Sequence, residues 1–297
     1  MTAKTRNSLI VILVLAIPVV IFIGSIFYNA AKEPPLPPLP ADNGYDDLMK
    51  SAQMLAPNVG TYNSSNLDEL QAVVAADAGA LQMARAGLQK QCQVPLDYNP
   101  TNDIMPRLEG IKFLGCGFAA EGDLEKIEGH PDQAAKSYLD IIHLANESSR
   151  GGAFIHELVG IAVEHIGTDA LQKLLPQLDA ETCRQTAATL ETYDAQRQPW
   201  GEVLADEHAW SRRAYPIVHY DMVTMMQSSE LKKIDQKAER RFEEQQARTR
   251  KLIIDLAARA YKLDEGHSPA SVTDLVTNYL SAIPIDPATG TSMVYLP

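Results

Sequence analysis

The longest apolar run of the chain lies near its start. From Leu9 to Tyr28, "LIVILVLAIPVVIFIGSIFY" sets twenty residues in succession without a charge, the length that crosses a hydrocarbon core of about 30 Å. The run predicts a transmembrane helix. Behind it stands "EPPLPPLP", Glu33 to Pro40, whose prolines fix φ and remove backbone donors, which predicts a stiff polyproline spacer. Beyond the spacer, apolar positions recur at helical spacing. Leu48, Met49, Ala52, Leu55 and Ala56 form one stripe, closed by Pro57, Asn58 and Gly60. Asn66 followed by Glu69 opens a second helix over roughly Leu67 to Gln91. "QVPLDYNPTND" is a loop, and from Met105 to Gly122 the residues Leu108, Ile111, Leu114 and Phe118 share a face.

Towards the other end, Glu230 to Leu263 runs without Gly or Pro, with opposite charges such as Glu244 and Arg248 at i and i+4. Leu231, Ile234, Ala238 and Phe242 make a narrow seam that broadens at Leu252, Ile253 and Leu256. This predicts a solvated helix with one apolar stripe rather than a coiled coil. The Tyr- and Met-rich stretch from Tyr215 to Met226 reads as core. The expected class is mainly α. Residues 1–8 form a cytoplasmic tail, 9–28 the transmembrane helix and 29–44 the linker. They are followed by a helical ectodomain at 45–222, the charged helix at 223–263 and a tail at 264–297.

Charge sets the orientation. Lys4 and Arg6 precede the apolar run, and Lys32 after it is neutralised by Glu33, so the N-terminus is expected in the cytoplasm and the rest outside, in the periplasm. A cleaved signal peptide is the alternative, but Tyr28 and Asn29 stand where cleavage wants small residues. The net charge of −12 over 297 residues argues against nucleic acid as a partner, which requires clustered Lys and Arg. Cys92, Cys116 and Cys183 are too widely spaced for a zinc knuckle or a redox pair, and at most one disulfide is available to them.

"FIHELVGIAVEHIG" carries the ligand types most suited to a metal: His156, Glu157, Glu164 and His165. Hydrolytic zinc sites place their histidines at i and i+4 around a Glu, and here Gly160 stands where the second His belongs. Two turns of helix, about 11 Å, separate His156 from Glu164 and His165. A packed helix with polar edges is the expectation. His208 and His219 are isolated. Cys116 in "LGCGF" sits on an apolar face, and neither a nucleophile elbow nor a glycine-rich phosphate loop occurs. No metal, no cofactor and no enzymatic activity are expected.

"EGHPDQAAKSYLDIIHLA" resembles the second half of a tetratricopeptide repeat, with Gly129 closing one helix, Pro131 opening the next and Ala134, Tyr138 and Ile142 on one face. A single match implies a helical hairpin and not an array. "YKLDEGHSPASVTDLVTNYLSAIPIDPATGTSMVY" resembles the C-terminal region of the major pseudopilin of type II secretion. The matching positions are Tyr261, Gly266, Pro269, Leu275, Tyr279, Leu280, Pro284, Asp286, Pro287, Gly290 and Tyr295. The resemblance implies a proline-started helix, which Ser268 can cap ahead of Pro269, and then a turn at "DPATG". "MVYL" can pair with "AIPI" as a small β-hairpin, with Ile283, Ile285, Val294 and Tyr295 laid on Leu252, Leu256 and Tyr261. Members of that family bind calcium in this loop, and Asp286 could offer an oxygen, but no second acid stands near. Ala288 replaces the family's tryptophan and the prepilin peptidase motif is missing, so assembly into a pilus is not implied. The overall layout is similar to single-pass bacterial envelope proteins.

Two functional classes fit. One is a membrane-anchored extracytoplasmic protein that binds or scaffolds a protein partner in the envelope; the other is an envelope metal-dependent hydrolase using His156, Glu164 or His165.

Overall fold

The computed structural model describes Val20, Ile23, Gly24 and residues 38–56, 66–97, 99, 102–214 and 217–295, with side chains in the last stretch from 229 onward. The transmembrane run, apart from Val20, Ile23 and Gly24, lies outside the described residues, as do Pro57, Asn58 and Gly60 and the side chains of the Tyr- and Met-rich stretch. Among the described residues no helix is long and apolar enough to cross a membrane.

The molecule is mainly helical, as the periodicity predicts. Among the described residues eight α-helices follow one another: α1 (Gly44–Met54), α2 (Leu67–Leu88), α3 (Met105–Ile127), α4 (Pro131–Ser149), α5 (Phe154–Leu174), α6 (Ala180–Gln196), α7 (Trp200–Ala214) and α8 (Ile217–Glu265). Local chemistry sets their starts. The side chains of Asn43, Asn66 and Asp179 accept hydrogen bonds from the Tyr45, Asp68 and Thr182 amides, while Pro131 opens α4 where a missing N–H costs nothing.

Neighbours in sequence pack on one another: α1 on α2, α2 on α3, α3 on α4, and most extensively α4 on α5. The face predicted for α3, Leu108, Ile111, Leu114 and Phe118, is buried, and so are Ala134, Tyr138 and Ile142 of α4. Arg85 of α2 clamps this stack from its edge. Its Nε donates to Asp140 at 2.6 Å, its Nη atoms reach Glu121, and its guanidinium lies 5.0 Å from the Phe118 ring centroid.

At 49 residues, α8 is longer than the charged stretch alone suggests, since the helix runs back to Ile217. Its two halves differ. Ile234 is 56% exposed, whereas Leu252, Ile253, Ile254, Leu256, Ala257 and Ala260 all join the main core against α5 and α6.

The tail departs from expectation in two respects. No helix starts at Pro269. A single 3-10 turn spans Val272–Leu275, because Ser271 and Asp274 form the reciprocal capping box and thereby fix the start three residues later. Nor, among the described residues, is there a β-hairpin. Among the described residues the tail has one antiparallel bridge, Ile285 with Ser292, supported by the Asp286 amide on Thr291 O and the Met293 amide on Pro284 O, both 2.8 Å. Pro284 and Pro287 have no N–H to extend the ladder. The tail seals the core with two of the predicted residues, Ile283 and Tyr295, and with Leu275, Leu280 and Met293 besides. Leu275 and Leu280 are buried beside Leu252 and Leu256, each contributing ~1.5–3 kcal/mol. Tyr279 packs on Tyr261 at 5.5 Å, while Ile285 and Val294 stay 43% and 70% exposed. Arg250 donates to Ile285 O at 2.5 Å, and the Ser281 amide to Glu191 at 3.1 Å.

Candidate functional site

Helix α5 carries most of the polar residues that the sequence singles out, and the structure sends them in different directions. Glu164 is 1% exposed and faces α8. Its Oε2 accepts from Arg197 Nη1 at 2.9 Å, and its Oε1 from Arg197 Nη2 and from the Thr249 hydroxyl at 2.7 Å. Both carboxylate oxygens are therefore engaged. Burial opposes the Arg197 charge, but the Glu164, Asp194 and Glu157 carboxylates outweigh it and hold the guanidinium above its ordinary range. Arg197 Nε is the buried side-chain polar atom that lacks a hydrogen bond among the described residues, with Asp194 3.8 Å away. Asp194 in turn takes Arg250 at 2.7 Å and Gln246 at 3.0 Å, so the cluster fastens α5, α6 and α8 together.

Glu157 is buried with a Ser149 hydroxyl as neighbour. Burial raises its carboxyl above the usual range, and the Ser149 hydrogen bond and Arg197 only partly offset this. His165 is exposed. A Cβ at Gly160 would stand 3.0 Å from the Ala145 carbonyl oxygen of α4, so the position that a second zinc histidine would need is closed by helix packing. His156, Glu164 and His165 are thus not brought together. Among the described residues, the one set of three ligand atoms within 4.8 Å of one another is Glu125, Glu128 and His130, at the exposed α3–α4 turn. Asp286 uses its carboxylate on the Ala288 and Thr289 amides, at 3.0 and 2.8 Å.

Cys92, Cys116 and Cys183 are free thiols. Burial pushes Cys92 up to about 12 and Cys183 up to about 11, far from the thiolate state that nucleophilic work requires.

His156 has a different setting. It occupies the first turn of α5, beside α3, α7 and the loop residues Pro95, Leu96, Asp97, Asn102 and Ile104, and it borders a cavity of roughly 410 Å³. The walls are mostly apolar, from Leu96, Ile104, Phe154, Ile155, Leu158 and Trp210. Gly152 makes the placement possible, since a Cβ there would fall 2.7 Å from the His156 Cβ. The loop is pinned by Trp210, whose indole N–H donates to Asp97 O at 2.7 Å. The Glu207 carboxylate accepts the Phe154 amide at 2.8 Å and the Ser211 hydroxyl at 3.1 Å, filling the N-terminal end of α5.

His156 is 8% exposed, and its Nδ1 lies 3.2 Å from Ala153 O. A carbonyl only accepts, so Nδ1 carries the proton and Nε2 presents a lone pair. Burial lowers the His156 pKa, the Ala153 bond opposes this, and the Arg107 charge lowers it further. No hydrogen bond reaches Nε2, and none reaches Arg107 at the cavity rim, among the described residues. Asp97, also at the cavity, is occupied by Asn102 and by the Asn99 amide, which with Arg107 keep its carboxyl below the usual range.

Sequence reasoning misses Arg107, Glu207 and Trp210, which lie about 50 residues to either side of His156 and follow no shared spacing. Arg197 and Thr249 escape it for the same reason, at 33 and 85 positions from Glu164. No protein family, no curated protein and no solved structure matches the chain.

Proposed function

We propose that the chain is a membrane-anchored, extracytoplasmic binding protein that accepts a small, largely apolar molecule in the cavity between α3, α5 and α7. The observation that carries this is the cavity itself. A space of roughly 410 Å³, apolar on most sides and bordered by the His156 imidazole, has the size and lining of small-molecule sites. α3 and α5 are held by the Arg85 and Glu164 clusters, and α7 is tied to the site by Glu207 on the Phe154 amide and by Trp210 on Asp97 O, which favours a preformed site whose occupation costs little ordering. The anchor rests on the uncharged run from Leu9 to Tyr28 with Lys4 and Arg6 before it, and the tail's likeness to pseudopilins points to the same compartment.

Two measurements test the proposal. A reporter enzyme active only outside the cytoplasm, fused after Pro297, should be active and stay with membranes through a carbonate wash. A fragment library screened by saturation-transfer NMR should yield apolar binders that Leu158→Phe displaces; binders indifferent to that substitution, or none at all, would remove the cavity from consideration.

A further inference from the structure

We infer that the ligand of this cavity is a monocarboxylate with an apolar tail, its carboxylate held between the Arg107 guanidinium and His156 Nε2. The inference rests on the cavity being the binding site and adds the chemical class of what enters it. Three observations lead to it. The walls offer Leu96, Ile104, Phe154, Leu158 and Trp210 to a hydrocarbon or aromatic tail. The cation at the rim, Arg107, feels the Asp97 charge but makes no direct hydrogen bond or salt bridge among the described residues, and its planar fork matches a carboxylate. The buried His156 presents an unpartnered nitrogen to the same space.

The other charged groups of the cavity do not compete for this role. Glu207, from α7, is spent on the Phe154 amide and Ser211, and Asp97, from the loop, on Asn102 and the Asn99 amide. Glu157, the acid next to His156 on α5, is buried beside Ser149, and no part of it lines the cavity. The two acids that do line it also explain selectivity: a ligand with a second carboxylate would meet Asp97 or Glu207. Burial and Arg107 keep the free imidazole neutral. An arriving carboxylate supplies the missing counter-charge, so His156 Nε2 takes up a proton from the buffer and donates it as a hydrogen bond to the bound oxygen. The ligand's own bonds are unchanged.

The experiment is calorimetric titration of the full chain in lipid nanodiscs, against empty nanodiscs, with 4-phenylbutyrate and with 4-phenylbutanol, the neutral probe of the same tail. The acid should bind about ten- to a hundredfold more tightly than the alcohol, the worth of a charge-assisted contact. Repeating the titration at pH 7.5 in buffers of different ionisation enthalpy should show proton uptake with the acid and none with the alcohol. Arg107→Gln should bring the acid to the alcohol's affinity and leave the alcohol's unchanged, Arg107→Lys should keep part of the preference, and His156→Gln should abolish the proton uptake. Equal affinities for both probes, or a preference that survives Arg107→Gln, would overturn the carboxylate assignment and leave the cavity as a site for neutral molecules. Saturation by neither probe at millimolar concentration would overturn the cavity reading as well.

Discussion

Glu164 and His156 stand eight residues apart on α5, both almost fully buried, and the helix treats them in opposite ways. Every acceptor position that Glu164 needs is filled by Arg197 and Thr249, from the α6–α7 junction and from α8. His156 has one nitrogen satisfied and the other turned to an open space. Buried polarity that is closed on itself holds elements in register, and removing a member exposes an uncompensated charge. Buried polarity left open beside a cavity is available for recognition.

The comparison breaks most visibly at Glu164. Glu164→Ala leaves the Arg197 guanidinium buried without its partner and should cost about 3–5 kcal/mol in denaturant unfolding. A loss below about 1 kcal/mol would mean that solvent reaches Arg197. The next effect has the opposite sign. Burial raises the folded-state pKa of Glu157 above the ordinary 4.5 of a free glutamate, so the stability of its neutral form is complete below about pH 4.5 and is lost as pH rises through the folded value. Glu157→Gln should therefore stabilise the protein at pH 7 by on the order of 1 kcal/mol, and a melting point unchanged there would contradict the burial argument. The pair replacement Glu164→Leu with Arg197→Met should restore most of what Glu164→Ala loses and unfold within about 1 kcal/mol of the native chain, since apolar side chains replace a charge pair nearly evenly.

His156→Gln should give the smallest change, within about 0.5 kcal/mol at pH 8, because it deletes one bond to Ala153 O. Its effect lies in the pH profile. A folded-state pKa below 6.5 gives stability that is complete above about pH 6.5 and is lost as pH falls toward the folded value. The variant should flatten that acid decline, though not remove it, because burial depresses His143 in the same way. Melting curves between pH 4 and pH 8 that superimpose for the two proteins would show that His156 is not desolvated.

Much of the helical layout is legible in the sequence because it depends on local rules. Asn66, Pro131 and the 3.6-residue recurrence of Leu108, Ile111, Leu114 and Phe118 each act within a few positions, and the structure keeps them where they are expected. The near-match to a zinc motif is also resolved locally: Gly160 is small because α4 passes against it. The tail is misread where two local signals compete. Ser268-Pro269 and Ser271-x-x-Asp274 both offer a helix start, and the second wins because its two side chains satisfy each other's backbone donors. The cavity could not be foreseen. Its residues are ordinary on their own strands of sequence, and only the packing of α3, α5 and α7 beside one loop gathers them.

The contacts that complete this molecule also depend on the order of its synthesis. Glu164 and Arg197 leave the ribosome well before Thr249, and the seat of Leu252 and Leu256 waits for Leu275 and Leu280 to cover it. Glu191 meets the Ser281 amide across 90 positions, and Arg250 joins Asp194 behind it to the Ile285 carbonyl ahead. The early helices can associate pairwise as they emerge, but the core closes only when Leu275 and Leu280 have been made. A product cut short before Leu275 therefore carries an uncovered apolar face and an incompletely bonded carboxylate, the features that proteases and chaperones select.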